Sequence, residues 1–270
     1  MMRRAVVGGH FGEWLQGRMG PKGPVALVTL PCPALASRVW FQDASALTID
    51  GPDPATPELI GRFLARLRLP VCGRFRIGLD MPMGGGAGAS TATLIAIARA
   101  AGFDGRTEDL IAACLATEGA SDPLMLPAPD QVLWASREGR VLTQLTAPPV
   151  CEVIGGFWGD HIKTRAQDND FPDISDLVKE WVAAAKVGDL GRLAALSSAS
   201  AQACTAARGP AGDPAADLVR SLGALGWVRA HTGSARGLIF AVGTVPQSAA
   251  EALAEAGLRD LVQFQSGASA

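Results

Sequence analysis

The sequence predicts an α+β protein whose two halves join near residues 147–150. Its length of 270 residues allows one or two domains of roughly 150 residues each. Strand-like and helix-like apolar patterns both occur, and two strands follow one another early in the chain, which argues against a regular β-α alternation. An Ala-Pro-Pro run at residues 147–149 marks the junction, so we expect domains at residues 1–147 and 148–270.

Local patterns place the individual elements in chain order. Apolar runs bounded by prolines are typical of strands, and so is the polar–apolar alternation of residues 74–79. Apolar residues at helical spacing predict a helix at residues 58–68, and Thr107 followed by two acids is typical of a helix N-cap. The expected strands are residues 5–7, 25–30, 35–41, 74–79, 131–136, 140–145, 150–154, 238–242 and 261–264. The expected helices are residues 58–68, 89–101, 107–117, 174–186, 190–207, 213–225 and 248–255.

The composition excludes several classes of protein. With a net charge of −2 and no Lys or Arg run, the chain lacks the basic surface that nucleic acid requires. Its five cysteines are widely spaced without a C-x-x-C pair, which argues against disulfides and a zinc site. The longest mainly apolar segment, residues 91–101, is too short to span a bilayer. We expect a cytoplasmic protein that binds a small molecule and binds neither nucleic acid nor a membrane. The sequence leaves open whether the chain forms a homodimer.

The glycine-rich run at residues 84–91 is the most informative segment. It lies between a predicted strand and a predicted helix, so its backbone N–H groups and the helix start can bind a phosphate. A glycine turn in which Ser90 merely caps the helix is the alternative. No Lys follows the glycines, so this is not the P-loop pattern. The candidate nucleotide-binding residues are Pro82, Gly84, Gly85, Gly86, Gly88, Ser90 and Thr91.

Two further glycine clusters contain polar side chains. Residues 8–17 place three polar groups among glycines and aromatics, which suits a pocket floor that binds a polar substrate or, equally, a tight structural loop. Residues 231–237 place two glycines before an apolar strand, which indicates close backbone approach to a ligand or another loop. A structural role is the alternative for the histidine of this cluster. The candidate substrate-binding residues are His10, Glu13, Gln16, Gly233 and Ser234.

Two acids follow the predicted helix 107–117. Glu118 faces the negative end of the helix dipole, an unfavourable position that a bound cation would reverse. Asp122 precedes Pro123, which holds its backbone extended. Mg2+-assisted phosphoryl transfer needs one carboxylate on the metal and one near the attacking hydroxyl. The alternative is that Glu118 and Asp122 are two solvated loop residues without a catalytic role.

Three glycine motifs in this order, with acids between the second and the third, resemble the GHMP kinases, the relatives of galactokinase, homoserine kinase and mevalonate kinase. Residues 81–92 resemble the central P-x-x-G-L-G-S-S-A motif, with Ala87 for its Leu, Ala89 for its first Ser and the second retained as Ser90. Within the superfamily, residues 12–17 are similar to the G-E-x-x-Q-G opening of L-threonine kinases. Residues 118–122 resemble their E-x-x-D segment with one extra residue, and residues 231–237 resemble their H-S-G-x-x-x-G motif.

This resemblance implies a two-domain fold, with a left-handed βαβ unit in the first half and a ferredoxin-like second half. It implies ATP over the glycine loop, Mg2+ on Ser90 and Glu118, and Asp122 as the catalytic residue that orients or deprotonates the acceptor. The expected reaction is phosphorylation of the L-threonine side-chain hydroxyl, which in that family serves cobalamin biosynthesis and, in some members, propanediol utilisation.

Three other functions stay open at this point. A kinase of the same fold could use another acceptor such as homoserine, because a single methyl group discriminates by only about 1–3 kcal/mol. The Ala89 departure allows a nucleotide or metabolite sensor that performs no chemistry, although such a protein has no need of Asp122 at the acceptor. A Rossmann oxidoreductase would require a regular β-α alternation, which the early strand pair contradicts.

Overall fold

The computed structural model describes residues 2–51, 56–160, 168 and 170–267. The first half contains β1 (Met2–Arg18), β2 (Val25–Gln42), β3 (Leu47–Asp50), α1 (Pro57–Arg66), β4 (Gly73–Leu79), α2 (Ala89–Ala101), α3 (Thr107–Glu118), β5 (Val132–Ala135) and β6 (Arg140–Gln144). The second half contains β7 (Cys151–Phe157), α4 (Ser175–Lys186), α5 (Leu190–Arg208), α6 (Ala215–Leu222), β8 (Gly226–Arg229), β9 (Ala235–Phe240), α7 (Ala249–Glu255) and β10 (Arg259–Ser266). The α+β prediction is confirmed.

One sheet runs through both halves of the described chain. Its strands lie in the order β10, β7, β9, β8, β1, β2, β4 and β3, and β5 pairs with β2 and with β6 beside this path. The halves meet where β1 pairs with β8, at Glu13 and Arg229. β3 and β4 are parallel and α1 lies between them in the chain, so they form the expected βαβ unit. The left-handed crossover of this βαβ unit and the domain boundary at residues 147–148 stay predictions.

β1 does not end at Val7, as the sequence predicted, but continues through the glycine cluster to Arg18. It pairs with β2 along its length, with register shifts after Gly8 and on either side of Glu13. Such irregularities let a strand absorb extra residues and redirect its side chains. Gly12 is required here: its φ is +77°, and a Cβ would lie 2.6 Å from the Arg229 carbonyl oxygen.

β2 likewise continues through Pro31 and Pro33, where we expected a break. Pro31 lies opposite His10, within the irregular stretch of β1. A proline is tolerated in a sheet where the regular ladder is interrupted and no N–H donor is needed. The prolines of β2 therefore lie where β1 is irregular, and the two long strands stay paired on either side.

Several shorter elements differ from their predicted bounds. α3 begins at Thr107 itself, with Arg106 at the N-cap position and no side-chain cap, so Thr107 is not the cap. α6 ends at Leu222 because Gly223 adopts a left-handed conformation (φ +68°). The sequence did not predict β3 and β8. Each has only four residues, and β8 is buried at every position, so it lacks the alternation that marks a strand.

α2 is the central helix of the first half. Ten of its thirteen residues are buried, and it packs on β1 and β2 and contacts α1 and α3. Toward the C-terminal end of β1, Trp14 packs against Trp181 of α4 with ring centroids 5.4 Å apart. Both contacts hold β1 and the start of α2 in fixed positions. No helix among the described residues is long and apolar enough to cross a membrane.

Candidate active site

A cavity of about 310 Å³ lies at the N-terminal end of α2. The glycine loop and α2 form one side, and the C-terminal end of α3, the loop after it and the irregular part of β1 supply polar groups. An apolar part is lined by Leu59, Ile60, Leu79, Met83 and Leu94. Of the sequence-predicted site residues, the lining includes His10, Glu13, Gly84, Gly86, Gly88, Ser90, Thr91, Glu118 and Asp122.

The glycine loop is held against β1. The N-cap residue of α2 is Gly88, whose φ is +72° and where a Cβ would lie 2.5 Å from the Cδ2 atom of His10. The backbone N–H of His10 donates to the Ala87 carbonyl at 3.1 Å. The first turn of α2 therefore opens into the cavity without a side-chain cap, and its N–H groups are available to an anion.

Ser90 does not cap the helix but binds Glu118. The Ser90 hydroxyl donates to Glu118 Oε1 in a short hydrogen bond, and the Thr91 hydroxyl donates to Oε2 at 3.0 Å. Burial raises the pKa of Glu118 to about 7, against the opposing effect of these two hydrogen bonds. The structure thus gathers three side-chain oxygen groups at one point of the cavity. Hard divalent cations such as Mg2+ prefer oxygen ligands of this kind.

His10 lies between two carboxylates. Its Nε2 atom is 3.4 Å from Asp122 Oδ2, and its Nδ1 atom is 3.5 Å from Glu13 Oε1. Burial lowers the pKa of His10, but the charges of Glu13 and Asp122 outweigh burial and raise it to about 9. Burial pushes the pKa of Asp122 upward, yet the charge and hydrogen bond of His10 outweigh it and lower that pKa. The Asp122 carboxylate is therefore ionised at neutral pH and held by an imidazolium.

Glu13 is almost fully buried, with 1% of its surface exposed. Burial raises its pKa to about 8, although the charge of the neighbouring His10 acts in the opposite direction. One ligand atom from each of His10, Glu13 and Asp122 lies within 4.8 Å of the others. A cation beside Glu13 would favour its ionised form, because opposite charge lowers the pKa of a carboxyl group.

The third glycine motif packs against the glycine loop rather than lining the cavity with Gly233 and Ser234. The backbone N–H groups of Ser234 and Ala235 both donate to the Gly85 carbonyl, at 3.0 and 2.9 Å. A Cβ on Gly233 would lie 2.6 Å from the backbone of Gly85 and Gly86. This motif contributes His231 and Thr232 to the cavity lining instead.

Three other predicted residues lie outside the cavity lining. Gln16 is fully buried, and its side-chain amide donates to the Arg229 carbonyl at 2.9 Å, so it joins β1 to β8. A Cβ on Gly85 would lie 2.8 Å from the Phe157 ring and 2.9 Å from Pro82, so Gly85 packs between the second half and Pro82. These three residues shape the glycine loop by packing on the side away from the cavity.

The sequence patterns did not single out Arg137 or His231 as site residues, yet both line the cavity. The His231 ring stacks on Phe171 with centroids 4.0 Å apart, and 8% of the residue is exposed. Burial lowers the pKa of His231 to about 3, assisted by the charges of Arg137 and Arg208. The only local signal for Arg137 was its place directly after a predicted strand, and nothing in the sequence connected that strand end to the cavity.

No protein-family model matches the sequence, and no curated protein sequence matches it. Solved structures do match over nearly the whole chain. Mevalonate kinase from methicillin-resistant Staphylococcus aureus aligns with a TM-score of 0.66 at 16% identity, covering 99% of each chain. The chain has the GHMP kinase fold. Homoserine kinase from Cytophaga hutchinsonii aligns with a TM-score of 0.60 at 18% identity, covering 97% of this chain and 94% of that one. Phosphomevalonate kinase from Streptococcus pneumoniae aligns with a TM-score of 0.65 at 14% identity, covering 98% of this chain and 99% of that one.

Within this GHMP kinase fold, one cavity contains two chemically distinct ends. The open helix start and the Ser90–Glu118 pair form an end suited to an anion with a divalent cation. The ionised Asp122, held by His10, forms an end suited to a hydroxyl or another hydrogen-bond donor. Both ends belong to the same 310 Å³ space.

Proposed function

We propose that this protein is an ATP-dependent kinase that transfers the γ-phosphate to the side-chain hydroxyl of L-threonine, giving O-phospho-L-threonine. The observation that carries the proposal is the single cavity in which the glycine loop, the Ser90–Glu118 pair and Asp122 meet. A phosphate donor and a small hydroxylated acceptor bound in this cavity would be neighbours. Proximity of this kind accounts for much of the catalysis of phosphoryl transfer.

The donor end fits a nucleoside triphosphate with its metal. The glycine loop and the first turn of α2 would bind the phosphates through backbone N–H groups. The apolar part lined by Leu59, Ile60 and Met83 suits an adenine ring. Ser90 and Glu118 would hold Mg2+, which when bound neutralises charge on the transferring phosphate. Ala89 offers no hydroxyl, and Thr91, two residues further on, supplies one beside Glu118.

At the acceptor end, Asp122 would accept the hydrogen bond of the acceptor hydroxyl. The acceptor oxygen forms a bond to the γ-phosphorus while the bond between that phosphorus and the β,γ-bridging oxygen breaks, and ADP leaves. The hydroxyl proton passes to Asp122, whose orientation His10 maintains at 3.4 Å. Glu13, buried in the same cavity, would pair with the acceptor's ammonium group.

L-Threonine is the favoured acceptor because of the sequence resemblance at residues 12–17, 118–122 and 231–237. Homoserine is the second candidate, supported by the likeness to a solved homoserine kinase. Both acceptors carry a hydroxyl, an ammonium and a carboxylate within a few bonds of one another, so the same cavity groups could serve either. Direct comparison of the two substrates decides between them.

The test is ADP release from Mg2+-ATP with L-threonine, L-homoserine, L-serine and mevalonate as acceptors. We expect the highest kcat/KM with L-threonine and identification of O-phospho-L-threonine by mass spectrometry. Preference for homoserine would replace the acceptor and keep the kinase. ATP binding without turnover of any acceptor would favour a sensor, and absence of ATP binding would contradict the proposed phosphate site.

Asp122→Asn tests the acceptor end separately. The amide cannot take the hydroxyl proton, so we expect kcat to fall by about 10²–10⁴-fold while the Kd for ATP stays within about twofold of wild type. Asp109→Asn is the matched control, because Asp109 is exposed on α3 and pairs only with Arg106 in the described structure. Wild-type turnover in the Asp122 variant would remove that residue from the mechanism.

A further inference from the structure

The cavity lining carries charge of both signs. Glu13 and Asp122 supply carboxylates, whereas Arg137 is the only Lys or Arg among the described lining residues. Arg137, Asp122 and His231 all line this cavity, and the charge of Arg137 acts to lower the pKa of both Asp122 and His231. A guanidinium in a cavity pairs with an anionic group, which for this reaction is either the transferring phosphate or a carboxylate of the acceptor. The arginine therefore points to an anionic group on the molecule that enters the cavity.

His231 is the second observation that points to a ligand. It is 92% buried and lines the cavity, yet neither ring nitrogen has a hydrogen-bond partner among the described residues. Buried polar atoms in native proteins are nearly always hydrogen-bonded, and an unpartnered one in a cavity calls for a water, an ion or a ligand to complete it. Stacking on Phe171 fixes the plane of the ring. A neutral imidazole carries one N–H donor and one acceptor nitrogen, and neither is satisfied within the described part of the chain.

Arg137 and Arg208 have different surroundings although both lie near His231. Arg208 binds the Asp168 carboxylate through two nitrogens, donates to the Asp170 carbonyl at 2.8 Å and lies 4.0 Å from the Phe171 ring centroid. Arg137 also contacts this segment, and its Nη2 donates to the Asp168 carbonyl at 3.5 Å. Arg208 thus stabilises the segment behind His231, and it does not line the cavity, whereas Arg137 does.

We propose that Arg137 and His231 form a subsite for the carboxylate of the acceptor, so that the enzyme selects α-amino acids by both charged ends. This inference rests on the proposed kinase function and adds the class of acceptor to it. The planar guanidinium matches a carboxylate with two parallel N–H donors, and His231 adds a third donor. With the ammonium at Glu13 and the hydroxyl at Asp122, each polar group of L-threonine or homoserine has a partner in the cavity.

The experiment compares L-threonine with L-threoninamide, which keeps the hydroxyl and the amine and replaces the carboxylate by a neutral amide. Wild-type enzyme should prefer L-threonine by about 10- to 100-fold in kcat/KM, chiefly through KM, since hydrogen bonds to charged groups contribute energies of that size. Arg137→Met should bring the preference to within about threefold. Arg137→Lys, which keeps the charge and loses the planar fork, should give an intermediate preference.

Arg140→Met is the matched control for these variants. Arg140 follows three residues later at the start of β6, is exposed, and pairs with Glu138 outside the cavity. Its variant should keep the wild-type preference. A thermal melt of each variant separates loss of the subsite from loss of the fold, and Arg137→Lys provides a folded variant if the methionine change destabilises the chain.

In the kinetic assay, two results would overturn the inference. Equal loss of kcat/KM for both acceptors in Arg137→Met would assign the arginine to the phosphoryl group instead. Equal kcat/KM for both acceptors in wild type would show that no carboxylate is recognised. Either result leaves the kinase proposal standing. If no acceptor turns over, the kinase proposal fails, and calorimetric titration with the same two ligands still tests the subsite: equal affinity, or binding of neither, overturns it.

Discussion

Gly233→Ala is the sharpest test of how the two halves hold the glycine loop. Gly233 has a φ of +112°, and an added Cβ would lie 2.6 Å from the backbone of Gly85 and Gly86, which cannot move aside as a flexible side chain could. The backbone conformation costs an L-residue about 1–2 kcal/mol, and the overlap adds about 1–3 kcal/mol. We therefore expect a loss of about 2–5 kcal/mol in the free energy of unfolding.

The displaced loop should also affect nucleotide use. Because the Gly85 carbonyl accepts from Ser234 and Ala235, a shift at Gly233 moves the loop that would bind the phosphates. A misplacement approaching 1 Å lowers turnover strongly, so kcat/KM for ATP should fall by at least about tenfold. Urea denaturation followed by tryptophan fluorescence measures the stability, and ADP release at varied ATP measures the catalytic effect.

Gly243→Ala is the matched control for Gly233→Ala. Gly243 has a φ of +77° and no heavy atom within 4 Å of its added Cβ, so only the backbone strain of about 1–2 kcal/mol applies. The effect of alanine on the unfolded chain is common to both variants and cancels in the comparison. If both variants lost the same stability and kept the same kcat/KM for ATP, the interlocking of these two loops would not position the phosphate site.

Two further predictions concern buried charges. Burial raises the pKa of Glu118 from about 4.5 to about 7, so its favourable contribution to stability is present below about pH 4.5 and is lost as the pH rises through 7. Between pH 5 and 8, without divalent cations, the free energy of unfolding of wild type should therefore fall by about 2–3 kcal/mol more than that of Glu118→Gln. Urea denaturation of both proteins measures this difference, and an equal fall in both would refute it. Arg236→Met leaves Asp213 buried without its partner, since their side chains are 1% and 5% exposed, and should cost about 3–5 kcal/mol. Arg220→Met, which removes the exposed pair with Asp217, should cost less than about 0.5 kcal/mol, and similar values for the two changes would contradict the estimate.

Elements with a strong local pattern were predicted well. The helix at residues 89–101 and the strand at 74–79 agree with α2 and with all but the first residue of β4, because small or apolar residues without proline, and strict alternation, are signals contained within one segment. The continuation of β1 through its glycines was not predicted. In an isolated segment a glycine indicates a loop, whereas beside a partner strand it can form a bulge within a continuing strand. That partner, β2, begins seven residues after β1 ends.

Short-range patterns were enough to predict the α+β class, the glycine loop and the residue types of the candidate site. Which of these groups share the cavity depends on how distant segments pack. Register shifts on either side of Glu13 bring that side chain to the lining while Gln16 turns to Arg229. Arg137 and His231, 94 residues apart by their numbers, line the same cavity because the β5–β6 turn and the β8–β9 connection both border it. Such contacts arise from packing between distant segments, and no local pattern encodes them.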